Sequence, residues 1–178
     1  MRTGLLSLAL FLILGGTPMA EPENAGNGGV PVQIKRVLLV EDAPAVLLVN
    51  KNEDRFLLVF IDFFMANAIR LGMERPTLER PLTHDLIGIF LNRLGAKIKR
   101  IDITELKNST YYALIHLEVN GKTEQIDARP SDALALAVRN RIPVFANPDL
   151  LREVNGRKEN REESVPPVKD RSRSRSST

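Results

Sequence analysis

The stretch Ile126-Asp127-Ala128-Arg129-Pro130-Ser131-Asp132-Ala133-Leu134-Ala135-Leu136-Ala137 constrains this chain more than any other. It reads as the end of a strand, a sharp turn and the start of a helix. Pro130 drives Arg129 out of the helical region, while its own fixed φ suits a first helical turn. Ser131 is placed to cap the free amides, and Asp132 sits where the positive end of the helix dipole favours an anion. Only small or branched apolar residues follow, so the helix is predicted to be buried on most sides. Two carboxylates, a guanidinium and a hydroxyl are thereby crowded at a strand-to-helix junction.

The strand entering this junction belongs to a hairpin. Tyr111, Ala113, Ile115, Leu117 and Val119 alternate onto one face, and Asn120-Gly121 is a type I′ turn signal. A two-residue loop pairs Val119 with Lys122, His116 with Gln125, Ile115 with Ile126 and Leu114 with Asp127. Asp127 then shares a face with Tyr112 and His116.

Upstream, Val37–Val40, Ala45–Asn50 and Phe56–Ile61 read as strands of an antiparallel meander. Asp62 is a cap for a helix to Leu71, with Gly72 as its stop signal and Ile61, Phe64, Met65, Ala68 and Leu71 on its apolar stripe. A loop rich in arginine (Arg75, Arg80, with Arg70 just before it) follows. A second helix opens with Thr83 as cap and His84 and Asp85 in its first turn. Its Leu86, Ile87, Phe90, Leu91 and Leu94 repeat at helical spacing, which predicts a face turned to a core. Lys97–Ile103 is a strand carrying Lys99 and Arg100, Lys107-Asn108-Ser109 is a turn, Ile142–Phe145 is a short strand, and Asp149–Val154 is a final helical turn. The fold class expected is α+β: a mostly antiparallel sheet of short strands packed with two or three core helices, in a single domain.

Both ends read differently. Arg2 followed by the apolar run Leu5–Leu14 suits a signal peptide over residues 1–20, the run being too short to span a bilayer. An uncleaved anchor is the alternative. Residues 21–34 read as a linker, 35–155 as the domain, and 156–178 as a disordered Arg/Ser-rich tail. The expectation is an exported protein, periplasmic or secreted, with no membrane anchor after cleavage. The net charge of +3 lies wholly in the tail, because Leu151 onward holds eight Lys/Arg against five Asp/Glu. The rest is neutral, so nucleic-acid binding would need a local patch or the basic tail rather than a broad positive field. The tail reads equally as a tether to nucleic acid or an anionic surface and as a solubilising end.

Composition removes several chemistries. Without cysteine there are no disulfides or thiolate metal sites, and two histidines cannot make a three-histidine zinc centre in one subunit. No P-loop, dinucleotide loop or nucleophile-elbow serine occurs. With no tryptophan and 5% aromatic residues, a base-stacking platform has little to work with. What remains is Asp127, Arg129, Ser131 and Asp132, with His84 and Asp85 on the other helix. The carboxylates Asp127 and Asp132 suit a hard divalent cation, Mg²⁺ or Mn²⁺, which polarises a phosphodiester and activates water. Arg129 suits bidentate phosphate binding, with Ser131, Lys99 and Arg100 as further substrate contacts. His84, with a free pKa of about 6.5, suits proton transfer. The same residues equally suit a structural role, with Asp85 and Asp132 complementing helix dipoles, Asp127 paired to Arg129, and His84 as a cap.

The motifs Arg80-Pro81-Leu82-Thr83-His84-Asp85-Leu86, Ile126 to Ala137, and Ile142-Pro143-Val144-Phe145 resemble the bifunctional nuclease domain family, over roughly Val37 to Val154. The resemblance implies an α+β domain, often oligomeric, with nuclease activity on RNA and DNA in some members. On that basis the expected function is metal-assisted phosphodiester hydrolysis, with His84, Asp85, Asp127 and Asp132 catalytic. One departure stands out. Where the family usually has Ile-Gly and then Glu-Ala, this chain has Ile61-Asp62-Phe63-Phe64-Met65-Ala66. The loss of an acid at Met65 supports the alternative of a catalytically weak or inactive self-associating or binding module.

Overall fold

The computed structural model describes residues 28–154. The expected signal peptide, residues 21–27 of the expected linker and the Arg/Ser-rich tail lie outside the described residues. Strands β1 (Val30–Val40), β2 (Ala43–Asn50) and β3 (Arg55–Phe60) form the meander, followed by helices α1 (Phe63–Glu74) and α2 (Thr83–Arg93). Strands β4 (Lys97–Lys107), β5 (Thr110–Val119) and β6 (Lys122–Ala128) lead into α3 (Pro130–Asn140). The short strands β7 (Val144–Ala146) and β8 (Arg152–Glu153) end the described chain.

All eight strands join one sheet in the order β6-β5-β4-β7-β1-β2-β3-β8. The pairings are antiparallel except β4 with β7, which is parallel. This is the α+β single-domain architecture expected from the pattern. Two turns show how locally the chain chooses its path. Asn108-Ser109 and Asn120-Gly121 both hold positive φ, the geometry of two-residue hairpins. The β5–β6 register is the one derived from the sequence, with Leu114 against Asp127 and Ile115 against Ile126.

The core lies on one face of the sheet. Val46, Leu48, Leu57 and Val59 meet Met65 and Ile69 of α1; Ile101, Ile103, Ala113 and Val144 meet Ala133, Leu134 and Ala137 of α3. Helix α3 is buried from Pro130 to Ala137 except at Asp132. This follows from its run of small apolar residues, which lets it pack closely against the sheet and against both other helices. Burial of Leu134 alone is worth about 2 kcal/mol.

Several boundaries differ from the sequence reading. β1 starts at Val30, so residues 30–34 belong to the sheet rather than a linker; Val30, Pro31 and Val32 pair with β7. Gly72 does not stop α1, which continues to Glu74 and closes on Arg75 in the left-handed region, φ 48°. Gly72 is instead a point of close approach. A Cβ there would lie 2.5 Å from Val138 Cγ2, so only glycine lets α1 and α3 cross this tightly. Pro130 and the α2 start likewise move the caps. The cap positions are Arg129 and Leu82, and Ser131 and Thr83 lie inside their helices. Arg152–Glu153 extends the sheet beside β3, where a helical turn was expected; only Pro148–Leu150 coils.

The largest difference concerns α2. Its apolar repeat is real, but it faces no core: Phe90 is 60% exposed and Leu94 75%. Leu86, Ile87 and Ile89 are exposed with them, and His84 is the buried residue of the helix. Phe64, expected on the α1 stripe, is 88% exposed, because the buried face of α1 runs through Met65, Ala66, Ile69 and Gly72. Periodicity identifies a face, not what covers it.

Candidate functional site at the start of the third helix

Asp132 occupies the third position of α3, one turn above the sheet. Its two carboxylate oxygens accept from Arg129, Nε at 2.7 Å and Nη2 at 3.1 Å. The pair keeps the Arg129 guanidinium protonated beyond its ordinary range, chiefly through the hydrogen bond to Asp132 and then through its charge, with a smaller contribution from Asp62. The Arg129 side chain is two-thirds exposed. His84 comes from the first turn of α2 and is buried, with Nε2 3.7 Å from Asp132 Oδ1. That separation is one of charge contact rather than a formed hydrogen bond. His84, Asp132 and Arg129 therefore make a row that begins inside the protein and ends in solvent.

Beside this row lies an open cavity of about 420 Å³, lined by Arg129, Ser131, Asp62, Thr110 and Tyr111 among others. Asp62 caps α1, accepting from the Met65 N–H at 2.8 Å, and also lines this cavity. Met65 itself is buried in the core. The acid missing at Met65 would thus be an interior group, and the exposed carboxylate at this corner is Asp62.

The remaining expected site residues are distributed elsewhere. Asp85 is committed to structure: Oδ2 accepts from the Leu82 N–H at 2.9 Å and Oδ1 from Arg139 Nη1 at 2.8 Å. Asp127 pairs across the sheet with Leu114, and Leu114 with Asp102. Alternation therefore puts Asp127 on the face away from α3, and it is Asp132, not Asp127, that pairs with Arg129. Asp127 and Asp132 do not converge, and no group of three His, Asp or Glu able to hold a metal occurs among the described residues. The two-carboxylate metal site expected from the motif does not fit this geometry within one protomer. Lys99 is exposed and pairs with Glu118 at 3.5 Å. Arg100 lies on the same far face as Asp127, bound to Asp102 (Nε at 2.9 Å) and stacked 4.3 Å over the Phe145 ring. The Asp102 carboxylate also meets His116 Nε2 at 2.6 Å. Neither lysine nor arginine reaches the α3 corner.

Two residues escaped the sequence reading. Asp62 reads in the sequence as a cap and as a nearby carboxylate pointing elsewhere on the helix, whereas it lines the cavity beside Arg129. Arg139 was missed, although its position seven residues after Asp132 puts both on one face of α3. That face meets α2, so His84 falls near Asp132 and Asp85 near Arg139.

The fold and this corner define an α+β domain with a polar cluster where a hairpin strand enters a buried helix, bordered by the starts of the two other helices. The model of the bifunctional nuclease domain matches residues 46–159. A protein of Mycobacterium tuberculosis described only as uncharacterized is 36% identical over 124 residues, covering 70% of this chain and 74% of its own. Bifunctional nuclease 1 of Oryza sativa subsp. indica is 30% identical over 119 residues, 63% of this chain and 36% of its own. Bifunctional nuclease 1 of Arabidopsis thaliana is 26% identical over 108 residues, 58% and 33% respectively. This chain thus spans about a third of the plant relatives' length. It belongs to the bifunctional nuclease domain family.

Proposed function

We propose that this protein is an exported nuclease that hydrolyses phosphodiester bonds of RNA or DNA at the start of α3. The observation that carries the reading is the His84–Asp132–Arg129 row, whose outer member, Arg129, lines an open cavity. Arg129 offers a planar fork to phosphate oxygens. Asp132 holds that fork in place, and the buried His84 imidazole stands behind Asp132 as the candidate proton carrier. Asp62 and Tyr111 line the cavity on which the substrate would rest. Asp127 and Asp132 diverge, so within one protomer they do not hold a divalent ion between them. Mg²⁺ or Mn²⁺ stays in the test as an added component. Export rests on the signal-peptide pattern of residues 1–20.

The test is degradation of single-stranded RNA or DNA by the mature protein, with Mg²⁺, with Mn²⁺ and with chelator. Asp132→Asn is expected to lower the rate by at least about 100-fold. The lost pair is exposed and three residues apart, so stability should change little. Wild-type protein without cleavage under any of these conditions refutes the catalytic reading.

A second reading has its own support. The exposed apolar face of α2 and the buried Met65 favour a self-associating or binding module with weak or no catalysis. Its occupant would be a second copy of the chain, giving a homo-oligomer. It predicts no cleavage together with a concentration-dependent molecular mass.

A further inference from the structure

A separate cavity of about 350 Å³ lies between the end of α1, the loop after it and the first turn of α2. Three guanidinium side chains line it, those of Arg75, Arg80 and Arg139, against one carboxylate, Asp85. The charge excess is therefore two positive units. Glu74 does not reduce it, being held by Arg70, and Glu79 does not line the space.

The three arginines come from three different places and are held to different degrees. Arg139 projects from α3, its side chain only 8% exposed. Its Nη1 donates to Asp85 and its Nη2 to the Ala68 carbonyl at 3.0 Å. Its Nε–H is buried and has no partner among the described residues, an arrangement that costs free energy unless something accepts from it. Arg75 ends α1 in a left-handed conformation that turns the chain, and its Nη2 donates to the Val138 carbonyl at 3.1 Å. That contact uses one N–H and leaves the others of its fork available. Arg80 stands on the loop opposite. Asp85 carries a single negative charge, bonded to the Leu82 N–H and to Arg139, and so balances only one of the three guanidinium groups. Leu71 and Leu78 supply apolar walls.

We propose that this cavity is a binding site for a dianionic phosphate monoester. Guanidinium forks match phosphate oxygens in geometry. An excess of two positive charges matches a terminal phosphate, which carries about −1.5 to −2 at pH 7, better than one backbone diester link. Free inorganic phosphate and the terminal phosphate of a nucleotide share this chemistry. The site does not depend on cleavage at α3, because it shares neither Arg129 nor Asp132.

The experiment is calorimetric titration at low ionic strength of the mature protein with inorganic phosphate, a nucleoside 5′-monophosphate and the unphosphorylated nucleoside. Phosphorylated ligands should bind and the nucleoside should not. Equal binding of phosphate and monophosphate identifies free phosphate as sufficient, and tighter monophosphate binding identifies a nucleotide end. Arg80→Gln and Arg75→Gln should each weaken binding about tenfold, with circular dichroism unchanged. These two side chains are chosen because Arg139 also supports the helix packing. Failure of both phosphorylated ligands to bind overturns the site, as does unchanged affinity in the double variant. Absence of nuclease activity in the wild-type protein, with phosphate binding intact, would count against the α3 reading alone.

Discussion

Replacing Arg139 tests how the helices that carry the site are held together. Arg139→Met keeps the apolar stem and removes the guanidinium. Two contacts vanish: the 2.8 Å ion pair to Asp85 and the 3.0 Å hydrogen bond to the Ala68 carbonyl. Breaking a buried pair by removing one partner costs about 3–5 kcal/mol. Asp85 is 29% exposed, so water reaches the orphaned carboxylate and the lower end applies, about 3 kcal/mol. For a domain of this size that lowers Tm by about 10 °C. Asp85→Ala should lose about as much, because it also gives up the Leu82 N–H acceptor, a cap worth about 1 kcal/mol. The double variant should lose about 4 kcal/mol rather than 6, a coupling of about 2. Urea denaturation of the four proteins measures these values, with unchanged slopes as the condition for comparison. A loss below about 1 kcal/mol for Arg139→Met would refute the view that this pair docks α2 onto α3. So would additivity within about 0.5 kcal/mol.

Two further predictions follow from packing. Gly72→Ala gains about 1 kcal/mol of helix propensity, but its Cβ would lie 2.5 Å from Val138 Cγ2 and 3.2 Å from Arg139 Cγ. Overpacking of about 1–3 kcal/mol wins, so a net loss of about 1 kcal/mol is expected by thermal melt, and a stabilised variant would refute the close crossing. If the α2 face meets a second copy, Phe90→Glu should shift light-scattering mass to that of the monomer with Tm of the monomer little changed. A monomeric wild-type protein at all concentrations would refute self-association through α2.

Local signals were legible where the physics is local. Asn120-Gly121 demanded positive φ, the two-residue loop then set the pairing, and the register of Leu114 with Asp127 followed without any tertiary information. Pro130 and the small apolar run after it were enough to identify a strand-to-helix junction and a buried α3. Capping was less legible because Ser131 and Thr83 are good cap residues in isolation. Pro130 at the first helical position moves the cap to Arg129, and Asp85 reaching back to Leu82 moves the other.

The sequence by itself determined most of the elements, the first meander, the β5–β6 hairpin and the family, because these depend on residues near one another or on motifs that span few positions. Only the tertiary structure decided which charges meet. Asp127 and Asp132 are five residues apart, yet strand alternation turns one to the far face while α3 carries the other toward α2. Asp85 and Arg139 are 54 residues apart in the chain, yet they are bonded, because the tight crossing at Gly72 and the docking of α2 bring two helix faces together. The apolar face of α2 teaches the same lesson. Its period is written in the chain, but whether a core, a second copy or solvent lies opposite depends on where every other element has gone.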